Sequence, residues 1–185
     1  MTILDDRTNI LAWDFGSKPW VARRRTKAIS LALERCTFDF DKYLLPAMRA
    51  KNVATVGLRY ETGMGGEWDD EKYEIILSAD YGTRRWPDPR GTDQAGIFLH
   101  EMGHVVDTFV LTQNNENRRA ISNAFCSTDH TWWDNLHKYS IGEAFGDAFA
   151  AMYGGGLMPW DNIWGHHKLT PKVEAVIKGI LEEVP

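Results

Sequence analysis

Ala95-Gly96-Ile97-Phe98-Leu99-His100-Glu101-Met102-Gly103-His104-Val105-Val106-Asp107 is the stretch on which the reading of this chain turns. The apolar residues predict a buried helix, and the polar ones are set into it as H-E-x-x-H. On a helix, two imidazoles four residues apart lie about 40° apart around the axis and roughly 6 Å along it. Both can therefore reach one metal ion. Glu101 then projects beside that ion, where it can accept a proton from water.

Two ligands leave a catalytic zinc site incomplete, because such sites use three protein groups and one open position. The downstream candidates are Asp107, Asp129, His130, Asp134, His137, Glu143, Asp147, His166 and His167. Asp107 lies a further turn along the same helix, roughly 10 Å past His100 if the helix is straight. No Gly or Pro between His104 and Leu111 would bend it back, so Asp107 is expected to support the site from outside the ligand set. Glu143 is better placed. Ile141-Gly142-Glu143-Ala144-Phe145-Gly146-Asp147-Ala148-Phe149-Ala150 reads as a helix with one polar face, on which Glu143 and Asp147 stand four apart. Two carboxylates among apolar and small residues are costly to bury unless paired or metal-bound. Glu143 is expected to bind the metal, and Asp147 to accept the free N–H of a ligand histidine.

H-E-x-x-H followed on a second helix by E-x-x-x-D resembles the gluzincin zinc metallopeptidases, the thermolysin-like pattern. The small residues of Gly142–Ala150 resemble more closely the compact branch that holds the anthrax lethal factor catalytic domain and the Pro-Pro endopeptidases. The resemblance covers about residues 72–153. It implies an α+β, zincin-like fold: a small mixed sheet on an active-site helix, followed by a mainly helical C-terminal part. It also implies zinc at His100, His104 and Glu143, Glu101 as general base, and hydrolysis of peptide bonds; the small size of the chain fits a narrow range of protein substrates better than broad digestion. The compact branch places a tyrosine seven residues before the glutamate ligand to steady the oxyanion. This chain has Leu136 there, a departure from the pattern. Tyr139, four before Glu143, is the first substitute, and His137 is another donor nearby.

The rest of the chain sets the frame. Its 185 residues suit one domain, with residues 1–20 expected as a docked, irregular N-terminal arm carrying Trp13, Phe15 and Trp20. With 43% hydrophobic and 25% charged residues the composition is globular, and a net charge of −5 gives no footprint of a nucleic-acid binder. The Arg23-Arg24-Arg25 run reads as a solvated helix face. The two cysteines, Cys36 and Cys126, form no C-x-x-C pair and are expected to be reduced. No long apolar run suggests a membrane span or signal peptide. The expectation is a soluble chain, cytoplasmic or exported without a recognisable signal.

Helices are expected over 21–35, over 39–50 with a break near Pro46, from Thr92 or Asp93 as cap to about Leu111, over 140–153 up to Gly154-Gly155-Gly156, and over 171–183 behind Thr170. Asn114–Ala120 reads as a polar connection to another helix. Strands are expected at Val53–Tyr60 and Lys72–Ser78, as a hairpin or as neighbours across the Gly63-Met64-Gly65-Gly66 break. The second, Tyr73–Ser78, is expected to serve as the ledge for an extended substrate. The loops around Trp86 and Trp160–His167 would line its pockets. Two other readings compete: a zinc-stabilised binding or structural protein that cleaves nothing, and a chance H-E-x-x-H in a helical core. An intact Glu101 argues against the first, and the downstream carboxylate pair against the second.

Overall fold

The computed structural model describes residues 2–4, 11–14, 19–63, 65–80, 88, 90–111, 114–126, 141–157 and 169–183, with side chains from residue 26 on, that of Cys126 excepted. Its elements are β1 (Thr2–Leu4), β2 (Leu11–Asp14), α1 (Pro19–Arg35), α2 (Phe40–Ala50), β3 (Val56–Glu61), β4 (Gly66–Asp69) and β5 (Glu74–Ser78). There follow α3 (Thr92–Val106), a π-helical turn (Asp107–Leu111), α4 (Asn115–Cys126), α5 (Ile141–Tyr153) and α6 (Pro171–Glu182). The architecture is α+β. No helix among the described residues is long and apolar enough to cross a membrane.

The five strands form one mixed sheet in the order β1-β2-β3-β5-β4. β2, β3 and β5 run parallel, while β1 and β4 close the two edges antiparallel. The expected neighbours β3 and β5 do pair, but in parallel rather than as a hairpin. β4 is the connection between them, folded back as the edge. Its Gly-Glu-Trp-Asp sequence has no β-branched residue, so only pairing with β5 makes it a strand. Residues 1–20 likewise contribute two strands instead of an irregular arm. β2 takes its backbone partners from Val56–Leu58, far along the chain, and a local pattern carries no record of such a pairing.

Side chains alternate across the sheet. Val56 and Leu58 of β3 and Ile75 and Leu77 of β5 join the hydrophobic core, which also takes Ile29, Leu44, Met48, Phe98, Phe145 and Phe149. The central helix is α3, packed against α1, α5, β4 and β5. It is buried nearly all round, His100 and Glu101 included, which matches its largely apolar sequence.

Details of capping differ from expectation. The residue preceding α3 is Gly91, at φ 75°, and no side chain of the cap residue bonds to the helix. Asp88 supplies the acceptor instead, taking the Gln94 backbone N–H at 3.1 Å. Gln94 Nε2 in turn donates to the Ser78 carbonyl at 3.1 Å and ties the start of α3 to the end of β5. α2 is not broken at Pro46. Phe40, Leu44 and Met48 form a buried stripe at four-residue spacing, and Asp39 caps the start by accepting from the Lys42 N–H at 2.9 Å. The polar Asn114–Ala120 segment is already the first part of α4 from Asn115 on. Thr170 caps α6 as expected, accepting from the Val173 N–H.

Candidate metal centre

α3 and α5 cross at glycine on both sides. A methyl group on Gly103 would stand 2.8 Å from the Gly146 Cα and 3.0 Å from the Phe149 Cβ. A methyl group on Gly146 would stand 2.8 Å from His100 Cε1. The His100 ring therefore lies flat against the backbone of α5. Glu143 and Asp147, which flank Gly146 on that helix, reach the ring from either end.

The contacts follow from this crossing. His100 Nδ1 lies 2.8 Å from Asp147 Oδ1, and His100 Nε2 lies 3.2 Å from Glu143 Oε2. His104 Nε2 lies 3.1 Å from His100 Nε2 and 3.5 Å from Glu143 Oε1. One donor atom from each of His100, His104 and Glu143 falls within 4.8 Å of the others. The histidine side chains are 11% and 14% exposed and Glu143 is 45% exposed, so the cluster opens to solvent on the Glu143 side. The three expected donors are brought together, and Asp147 meets the ligand histidine on the nitrogen that faces away from them.

With Asp147 accepting the Nδ1–H of His100, the Nε2 lone pair points at a second imidazole and a carboxylate. Electron-rich atoms at such separations need a proton or a cation between them. Without metal, a proton takes that place. Burial works against charge on His100, but the hydrogen bonds to Asp147 and Glu143 outweigh it and its pKa is pushed up to about 10. Burial and then the neighbouring His100 charge push His104 down to about 4. The His100 hydrogen bond holds Glu143 below the usual carboxylate range. This donor set fits a divalent metal: two imidazoles and a carboxylate are a ligand combination zinc accepts, and Asp147 fixes the tautomer that frees Nε2.

No protein-family model matches the sequence, and no curated protein does.

Glu101 is 4% exposed, and its carboxylate lies against the backbone of Gly66 on β4, where a side chain would collide with it and with Ile97. Burial, partly offset by His100 and reinforced by Glu143, raises its pKa to about 8. Asp107 is not among the converging donors. It stands where α3 gives way to the π turn, and its backbone N–H bonds to the Gly103 and His104 carbonyls. Burial raises its pKa, and Arg118 opposes the rise.

The strand expected as a ledge, β5, has no free edge: β3 lies on one side of it and β4 on the other. The strand that borders Glu101 is β4. Trp68 ties it to the π turn that follows α3: its Nε1–H donates to Thr108 Oγ1 at 3.0 Å. Sequence reading missed β4 and the Gly66 contact; the run of glycines before it was the available signal. Tyr139, His137 and Leu136 lie outside the described residues, as do Trp86, Trp160, His166 and His167.

Proposed function

We propose that this chain is a zinc-dependent endopeptidase of zincin-like, gluzincin type, acting on peptide or protein substrates. The observation that carries the reading is the convergence of His100, His104 and Glu143 from two helices beside a buried glutamate. These three residues would hold zinc, which when bound supplies a Lewis acid that makes water more acidic and polarises a carbonyl.

The remaining work belongs to the chain itself. Asp147 orients His100 by holding its Nδ1–H. Glu101 takes the proton of the attacking water and hands it to the leaving amine. Burial raises its pKa and the cation held beside it would draw it back down, so the carboxylate can both take and give the proton. The crowded Gly66 backbone keeps the carboxylate in place and excludes water from that side. β4 is the ledge on which an extended peptide lies as an added strand. Tyr139, four before Glu143, is the proposed oxyanion donor, in place of the tyrosine that the pattern has at the position of Leu136.

The test is metal content and cleavage measured together. Purified protein should contain zinc by elemental mass spectrometry and cleave a mixed peptide pool. Glu101→Gln should keep the zinc and lose cleavage, and Glu143→Ala should lose zinc affinity. Bound zinc without cleavage in the unaltered protein would favour a zinc-stabilised binding protein instead. Unchanged zinc affinity in Glu143→Ala would remove the third ligand.

A further inference from the structure

The backbone of β4 has two sides, and the hydrogen bonds to β5 identify which residues face out. Ser78 N–H donates to the Gly65 carbonyl at 3.2 Å, just beyond the Gly66↔Leu77 register. Hydrogen-bonded and non-bonded pairs alternate along an antiparallel ladder. Glu67↔Ile76 and Asp69↔Glu74 are then the bonded pairs, while Gly66 and Trp68 turn their N–H and C=O groups outward. β4 ends the sheet, and among the described residues no strand pairs with that outward side. A peptide added there bonds to Gly66, beside Glu101, and to Trp68. Its residue opposite Glu67 then forms the non-bonded pair, in which facing Cα atoms are only about 4.5 Å apart and side chains are closest.

Opposed residues share a sheet face. Gly66 and Trp68 face α3, so Glu67 faces the other way, together with Arg59, Glu61, Glu74 and Asp69. On that face Arg59 pairs with both Glu61 and Glu74, and Asp69 pairs with Lys72 at 2.6 Å. Glu67 is exposed and forms no ion pair among the described residues. An added strand therefore meets an uncompensated carboxylate at its closest side-chain position.

We infer that β4 receives an extended peptide with Lys or Arg opposite Glu67, one residue away from the residue that pairs with Gly66, so that the site selects cationic peptide segments. The inference rests on the reading of the cleft as a peptide-binding centre, but not on cleavage. It is tested by fluorescence anisotropy on the zinc-loaded Glu101→Gln protein, using short blocked peptides of Thr, Val and Gln with one position changed to Lys or Glu. The Lys peptide should bind about two- to fivefold more tightly than the Gln peptide, the scale of one cross-strand charge pair. The Glu peptide should bind more weakly than either. Glu67→Gln should abolish this ranking and Glu67→Lys should invert it. Equal binding of all three peptides, no binding at all, or a Lys preference that survives Glu67→Lys would overturn the inference. The same peptides are offered to the unaltered protein. A ranking that follows Glu67 without any cleavage would leave the inference standing and remove the peptidase reading.

Discussion

Three helical glycines, changed to alanine one at a time, separate the roles the structure gives them. Alanine favours a helix over glycine by about 1 kcal/mol, so with no other effect each change would stabilise. Gly179 on α6 has nothing within 4 Å of an added methyl group. Gly179→Ala is expected to gain about 0.4–1 kcal/mol. At Gly103 the methyl group would stand 2.8 Å from the Gly146 Cα and 3.0 Å from the Phe149 Cβ. Carbon atoms normally rest about 3.5–4.0 Å apart, and neither neighbour can swing aside, so α3 and α5 must separate. Overpacking of this kind costs about 1–3 kcal/mol. After the propensity gain, Gly103→Ala should gain nothing and lose up to about 2 kcal/mol. Gly146→Ala presses on the His100 ring, at 2.8 Å from Cε1 and 3.0 Å from Nδ1. The ring must turn away from Asp147, so the main loss is in zinc affinity, at about tenfold or more. The assay is urea unfolding of the chelated proteins, read as a shift in midpoint at constant slope, with zinc titrations alongside. Gly103→Ala stabilised as much as Gly179→Ala, or Gly179→Ala as damaged as Gly103→Ala, would refute the close crossing.

Zinc binding should release between one and two protons near neutral pH, because the metal displaces the His100 proton (pKa about 10) and favours ionised Glu101 (about 8). Affinity should therefore rise at least about tenfold per pH unit up to about pH 8, by calorimetry in buffers of different ionisation enthalpy; a flat profile would contradict the shared-proton site. In the metal-free protein both raised pKa values act in one direction: Glu101 contributes stability lost as pH rises through about 8, and His100 stability lost as pH rises through about 10. Thermal midpoints of chelated protein should fall across that range. Asp147→Ala should weaken zinc binding about 10- to 100-fold while the fold, read by circular dichroism, is retained. Cys36 is a free thiol whose pKa burial raises to about 11, against a backbone hydrogen bond from Phe38 that lowers it. In a Cys126→Ser background at about pH 8 it should react with a thiol reagent roughly 100-fold more slowly than an unperturbed cysteine.

How much of this was legible in advance depended on whether the signal was local. The α3 and α5 patterns are helical periods with polar residues at four-residue spacing, and both helices form where expected. Thr170-Pro171 marks a helix start by its own chemistry, and α6 begins there. Asp88, the acceptor for the start of α3, stands outside the helix, where the cap pattern of Thr92 and Asp93 does not point to it. Pro46 does not break α2, because a buried stripe through Phe40, Leu44 and Met48 holds the helix together across one missing hydrogen bond. β1 and β2 were lost among aromatics, glycine and proline because their partners are other strands.

Residues 95–107 by themselves determine that two imidazoles and a carboxylate share a helix, with the two imidazoles on one face, since a four-residue spacing meets a 3.6-residue period. It also offered Glu143 and Asp147 as a matched pair on a second helix. Only the tertiary structure decided that the two helices touch at Gly103 and Gly146, closely enough for both carboxylates to reach one histidine ring. The edge beside Glu101 was decided there too. β4 has no strand signal of its own, and its place, its outward N–H and C=O groups and the face taken by Glu67 come from pairing with β5. Backbone pairing between distant segments leaves its mark in geometry, and side-chain pattern records it only where one face is buried in apolar residues.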